Sequence, residues 1–269
     1  MIKRVTLDTS TVPESWKEVY YYDNLEIYGN RSVLGHTYAY NNRRQVIIDF
    51  IKRFQKTPAK ILDIAAAQGN YTLWLAELGY DVTWNDLRSD LVPYVKEKYE
   101  VGNVTYAPGN VFELGFEEDF DIVLIAEIIE HVAHPDDFLR KVSKFVKPGG
   151  YIVMTTPNGG YFRNHLPRFS DCHDPSQFEA IQFSPNSDGH IFLLHTDEVE
   201  VLSKQAGLNL LALRLYTNSL TNGHVKLGLL LKYIPLSIVR SIESLTQKLP
   251  LFLQRKLNTG MAVVMQRVS

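Results

Sequence analysis

From residue 60 to residue 157 short apolar segments alternate with amphipathic ones, and this alternation narrows the possible folds more than any other feature of the chain. KILDIA (60–65) has the character of a buried strand, and TLWLAELG (72–79) that of a helix closed by glycine. DVTWNDL (81–87), NVTYAPG (103–109), FDIVLIA (120–126) and YIVMTTP (151–157) read as further strands. The third of these is strongly apolar, as a strand covered on both faces should be. DLVPYVKEKY (90–99), begun or interrupted near Pro93, and PDDFLRKVSKFV (135–146) carry helical spacing between them. Such alternation predicts parallel β-α-β crossovers in a doubly wound α/β sheet. Further on, TDEVEVLSKQAG (196–207) reads as a helix with Thr196 as its N-cap. LNLLALRLYT (208–217) and GMAVVMQRV (260–268) complete a mostly parallel, seven-stranded sheet.

Two regions stand outside this pattern. Residues 1–43 hold Trp16, Tyr20, Tyr21, Tyr22, Tyr28, Tyr38 and Tyr40 among polar neighbours and read as an N-terminal cap. Helical periodicity begins at Arg44, with Val46, Ile47, Phe50, Ile51 and Phe54 on one face, so the main domain is placed at 44–269. Within it, 158–190 is too long for a plain connector and reads as a substrate loop. The stretch 220–258 is a helical insertion broken by Pro235 and Pro250. Its apolar residues, Leu227 and Leu230 among them, are interleaved with Lys226, Lys232, Arg240, Lys248, Arg255 and Lys256. Three readings stand for it: packing on the domain, a homodimer contact, or peripheral contact with a membrane surface.

Composition removes several classes of function. A net charge of −2 argues against a duplex nucleic-acid partner. The single cysteine, Cys172, rules out an intrachain disulfide and a cysteine-only zinc site. MIKRVTLDTS has no apolar signal-like core and no apolar run approaches membrane-span length, so a cytoplasmic location is expected, with peripheral membrane contact through 220–258 as its variant.

Ligands of open parallel sheets bind beyond the carboxyl ends of the strands. Gly69 follows the first strand and lets a ligand approach the backbone. Asp86 ends the second strand, 23 residues after Asp63, where a carboxylate can accept from both hydroxyls of a ribose. Asn110 follows the third strand, and its amide suits an adenine edge. Glu127, Glu130 and His131 follow the fourth strand at once, and helical spacing places all three on one turn.

ILDIAAAQGNY, VTWNDLRSDL, GNVFEL, FDIVLIAEIIEHVAHP and KPGGYIVMTTPN, in this order, resemble the class I S-adenosylmethionine-dependent methyltransferases, over roughly residues 44–217 and the final strand. AEIIEHV and TTPN resemble the branch containing the ubiquinone-biosynthesis O-methyltransferases. The resemblance implies S-adenosyl-L-methionine as cofactor, bound by Asp63, Ala65, Gly69, Asp86, Leu87, Asn110, Val111 and Ala126. Ala65 and Ala67 replace two glycines of the family's loop, which is compatible with function only if neither position is left-handed. The implied reaction is methylation of a small-molecule hydroxyl on a sugar, a phenol or a lipid-linked glycan. Two alternatives are a catalytically silent binding module, motivated by the two alanines, and an NAD-dependent oxidoreductase, which AAAQGN serves poorly.

For the acid–histidine turn the readings are a catalytic role, with His131 as general base beside Glu127, or a purely structural or cofactor-contacting one. Metal-dependent relatives resemble its E-x-x-E-H pattern. That resemblance implies Glu127, Glu130, His131 and His190 as ligands, with Mg2+ expected from two hard carboxylates.

Overall fold

The computed structural model describes residues 2–29, 34–182, 189–222 and 231–268. Lys226, Leu227 and Leu230, and residues 183–188 of the long loop, lie outside them. Seven strands form one sheet: β1 (Lys60–Ile64), β2 (Asp81–Trp84), β3 (Asn103–Tyr106), β4 (Phe120–Ala126), β5 (Val146–Pro157), β6 (Leu208–Asn218) and β7 (Asn258–Arg267). Their spatial order is β3-β2-β1-β4-β5-β7-β6, and β7 alone runs antiparallel, between β5 and β6. The chain leaves β1 toward β2 and β3, then returns to place β4 on β1's other side. The switch point therefore lies between the carboxyl ends of β1 and β4.

The period-two pattern of β4 shows how the sheet is buried on both faces. Ile122 and Leu124 join a cluster with Val46, Ile47, Phe50 and Ile51 of helix α2 (Leu34–Phe54) and Leu75 and Ala76 of α3 (Asn70–Glu77). Val123 and Ile125 point the other way, to Phe138, Leu139 and Val142 of α5 (Pro135–Val142) and Val199 and Leu202 of α6 (Thr196–Gln205). Helix α4 (Leu91–Lys98) runs unbroken, with Pro93 in its first turn, where a missing N–H costs little. The N-cap of α6 is His195 rather than Thr196. Glu198 reaches back to accept from the His195 backbone N–H at 2.7 Å, closing a capping box.

At the N-terminus, α1 (Glu14–Glu26) leads to α2, which begins at Leu34 and not at Arg44. The boundary drawn at 43/44 thus falls inside a continuous helix. Polar residues between Leu34 and Arg44 masked the helix, because a helix packed partly against a cap shows no clean apolar stripe. At the other end, α7 (Leu236–Gln247) and α8 (Leu251–Leu257) join β6 to β7.

A fully buried ion pair ties α1 to the domain. Lys98 at the end of α4 donates to Asp23 of α1 at 2.6 Å, and neither side chain is exposed to solvent. The same ammonium donates to Asn70 Oδ1 at 2.6 Å and to the carbonyl of Gln68 at 2.9 Å. Tyr94 Oη and Asn70 Nδ2 both donate to the Asp23 carboxylate. Every oxygen and proton of this pair therefore has a partner, the condition under which a buried pair is tolerated. Removing one member leaves a desolvated charge. Asp23→Ala is expected to lower folding stability by about 3–5 kcal/mol. Denaturant melts check this; a loss below about 1 kcal/mol would mean that water reaches Lys98 once Asp23 is gone.

Candidate functional site

A cavity of 610 Å³ opens at the switch point. Its floor is the β1–α3 loop, its far wall the turn after β4, and its near wall α1 and α2. Asp63, Ala65, Ala126, Glu127, Glu130, His131 and His190, all singled out from sequence, line it together. So do Glu18 and Glu26 of α1 and Arg43 of α2, which the sequence reading passed over. Arg43 had a signal: it stands three and four residues before Val46 and Ile47, so it is a charge on the buried stripe of α2.

The loop answers the question of the two alanines. Both are left-handed, with φ of 49° at Ala65 and 46° at Ala67, contrary to the condition set from sequence. Hydrogen bonds hold them there. Ala66 N–H donates to Asn85 O, Ala67 N–H to Asp86 Oδ2, Gly69 N–H to Ala66 O, and Trp84 Nε1 to Ala67 O, all within 3.1 Å. Such over-determination is what sustains an unfavourable backbone region. Gly69 is a different case: at φ 69° a Cβ would stand 2.6 Å from Val95 Cγ1, so α4 packing demands glycine.

Five predicted cofactor residues are not on the cavity wall. Gly69 is buried beneath the loop and N-caps α3. Asp86 is buried, its carboxylate accepting from Ala67 N–H and from the backbone and side chain of Arg88. Leu87 is exposed, and Val111 belongs to the core. Asn110 engages its amide locally: Oδ1 accepts from Phe112 N–H and Nδ2 donates to Glu113. These two bonds cap the short turn after β3.

The acid–histidine turn splits. Ile129–His131 form a single 3-10 turn, but Glu127 before it has φ 57° and swings away to pair with Arg43 at 2.7 Å. Glu127 therefore leaves the expected ligand set. Glu130, His131 and His190 do converge, with ligand atoms within 4.8 Å of one another. Glu130 is fully buried; Thr156 donates to its Oε2 at 3.0 Å, while Oε1 has no hydrogen-bond partner. One carboxylate with two imidazoles is a borderline donor set, better suited to ions of the zinc or manganese kind than to Mg2+. His131 Nδ1 lies 3.2 Å from the Gly189 carbonyl, a contact that places a proton on Nδ1 and leaves the Nε2 lone pair open.

The cavity is acidic. Glu18, Glu26, Asp63, Glu127 and Glu130 face two guanidiniums, Arg43 and Arg88. Burial pushes Asp63 up to about 7, against the pull of the Thr72 hydroxyl, which donates to it at 2.6 Å. Burial also pushes Glu26 up to about 7, with Arg43 opposing. Glu130 is held well above the carboxylate range by burial first and by the nearby Glu127 charge second.

A second cavity of 760 Å³ shares Arg43, Glu127 and His190 with the first. It has the opposite character. His36, Arg163 and His165 join Arg43 there, Glu127 is its one acid, and Leu166, Leu193, Pro157 and Tyr216 supply apolar wall. Arg163, His165 and Leu166 come from the loop after β5 that the sequence marks as substrate-facing.

A family model described as a methyltransferase domain matches residues 38–213. A ubiquinone biosynthesis O-methyltransferase of Hydrogenovibrio crunogenus is 29% identical over 167 residues, 60% of this chain and 67% of that protein. Its namesake in Caulobacter vibrioides is 36% identical over 102 residues, but over 36% of this chain and 40% of that protein. Among solved structures, a putative sarcosine dimethylglycine methyltransferase from Galdieria sulphuraria superposes with a TM-score of 0.59 at 13% identity, covering 95% of this chain and 99% of that one. At that identity the likeness speaks for the fold alone.

The strained loop makes its own prediction. A left-handed non-glycine residue costs about 1–2 kcal/mol, and the greater unfolded freedom of glycine offsets about 0.4–1 kcal/mol. Ala65→Gly and Ala67→Gly are each expected to raise stability by roughly 0.5–1 kcal/mol, read as a higher Tm. A lower Tm in both would show that the alanine methyls pack the loop more than they strain it.

Proposed function

The chain belongs to the class I S-adenosylmethionine-dependent methyltransferases, and from that membership we propose that it methylates a hydroxyl of a small-molecule acceptor held in the second cavity. The observation that carries this reading is the junction of two cavities of opposite charge at Glu127 and Arg43, with His131 beside it. The acidic cavity fits a ligand bearing a sulfonium and an ammonium. Its volume is within the usual range for a ligand of that size. Arg43 and Arg88 offer partners for the ligand's one carboxylate and for polar groups near Asp86. S-adenosylmethionine, when bound, supplies an electrophilic methyl group.

The chain's own residues supply the rest. Asp63 and Glu127 present carboxylate to the cationic end of the ligand, and the Ala65–Gln68 backbone lets it approach closely. Asp86, beneath Ala67, meets a ribose once the partly exposed Arg88 turns outward. The apolar wall of the second cavity excludes water and aligns the acceptor for an in-line displacement. His131 Nε2 takes the hydroxyl proton as the oxygen attacks, its ring fixed by the Nδ1 contact to Gly189.

A second reading rests on the unpartnered Glu130 Oε1. A divalent ion held by Glu130, His131 and His190 would act as a Lewis acid toward the acceptor hydroxyl. The two readings share residues and differ in their response to chelation. The relatives are named as O-methyltransferases of ubiquinone biosynthesis, and among sugar, phenol and lipid-linked glycan hydroxyls a phenol is the first to screen.

Two outcomes are expected. S-adenosylhomocysteine brings an ammonium to groups that are half protonated near pH 7, so binding releases protons and affinity rises from about pH 6 to about pH 8. Calorimetry checks the slope; no binding at any pH would remove the methyltransferase reading itself. His131→Ala is expected to lower kcat by roughly 10²–10⁴ while leaving S-adenosylhomocysteine affinity within about threefold. If EDTA abolishes wild-type turnover and a divalent ion restores it, the metal reading replaces the base. Near-wild-type turnover in His131→Ala, with no effect of EDTA, sinks both.

A further inference from the structure

The segment between β6 and β7 has a face that the domain does not use. Helix α7 packs inward through Val239, Glu243 and Thr246. On its flank Ile238, Ile242, Leu245 and Leu249 recur at helical spacing, and Leu245 is 64% exposed. Leu251 and Phe252 of α8 are exposed as well, Phe252 at 66%. Gln254 fixes α8 against the end of α7, donating to the carbonyls of Gln247 at 2.9 Å and Leu249 at 2.7 Å.

The charges on this segment have one sign. Among residues 231–257, Lys232, Arg240, Lys248, Arg255 and Lys256 are exposed. The only acid there, Glu243, is buried and receives the Asn218 N–H and the Thr221 hydroxyl. Apolar side chains interleaved with lysine and arginine, with no exposed acid among them, match the boundary between lipid headgroups and acyl chains. The match is poor for a second copy of the chain, since an isologous contact would set these cations against themselves. Among the described residues no helix is long and apolar enough to cross a membrane, so contact would be from one side.

The face also adjoins the mouth of the second cavity. Phe162 N–H donates to Lys256 O at 3.1 Å, and Asn158 Nδ2 to Arg255 O at 2.7 Å. Asn158 and Leu166 line that cavity, and Phe162 and Leu166 are themselves exposed. We propose that α7, α8 and the Phe162–Leu166 loop seat the protein on an anionic lipid bilayer, with the second cavity opening toward it. An acceptor dissolved in the membrane then enters from the lipid side; this last clause rests on the methyl-transfer reading, whereas the docking does not.

Co-sedimentation of the full chain with vesicles tests the proposal. One set is phosphatidylcholine alone, the other contains about one-third phosphatidylglycerol. Preferential binding to the anionic set, weakened by salt, is expected. A Lys248→Gln/Arg255→Gln/Lys256→Gln variant should bind about 100-fold more weakly, from roughly one kcal/mol per charge. Leu245→Ser/Phe252→Ser should lose at least tenfold by a different route, with salt sensitivity retained. S-adenosylhomocysteine affinity, measured in parallel, should stay unchanged in both variants, which separates failure of docking from failure of the methyltransferase reading. Equal partition to both vesicle sets, or variants that bind like wild type, overturns the proposal. So does a concentration-dependent dimer abolished by Leu245→Ser/Phe252→Ser without any vesicle binding, which would assign the face to a second copy.

Discussion

The buried pair between Lys98 and Asp23 is the interaction on which the site depends. A lone ammonium or carboxylate at that depth would be too costly to desolvate, so the pair exists only because α1, α4 and the start of α3 meet there. Burial alone lowers the Lys98 pKa, and the Asp23 carboxylate pulls it back. The same ammonium holds the Gln68 carbonyl and Asn70, the last turn of the cofactor loop. One charge thus joins the near wall of the acidic cavity to its floor. Tyr94 and the Trp16 ring stacked edge-on against it at 5.5 Å seal the contact from above.

Around the cavity the backbone is strained at three non-glycine positions, Ala65, Ala67 and Glu127. The strain has a different purpose in each place. At the two alanines it turns the chain back on itself tightly enough for the Ala67 N–H to reach Asp86. At Glu127 it directs a carboxylate to Arg43, whose guanidinium offsets the charge that Glu127 places near the buried Glu130. Arg43 is then the shared wall of both cavities, held also by Glu26 and the Tyr71 hydroxyl. The acidic cavity and the more basic one meet at a single guanidinium–carboxylate pair, with His190 on the wall of both.

Parts of this were legible before any coordinates. FDIVLIA could only be a strand buried on both sides, and its residues alternate between the two helix layers as its pattern requires. The order of Asp63, the small loop residues and the turn after β4 pointed to the switch point, where the acidic cavity opens. Arg43 was harder to see, because a charged residue on an apolar stripe is visible only when the helix is known to begin early enough to include it. The side chains of Asn110 and Leu87 were not legible, because a residue's position at a strand end does not say which way its side chain points: Asn110 caps the turn after β3 and Leu87 is exposed.

By itself the sequence determined the sheet, its crossovers, its family and the chemical types gathered at its carboxyl edge. These follow from hydrophobic periodicity and short-range spacing, which act over a few residues and need no partner. The tertiary structure decided which of those groups face one another. That Glu127 serves Arg43 while Glu130 turns to His131 and His190 depends on one backbone angle and on helices far apart in the chain. So does the charge of each cavity, because pairing and desolvation in the interior are set by distances that no local pattern contains.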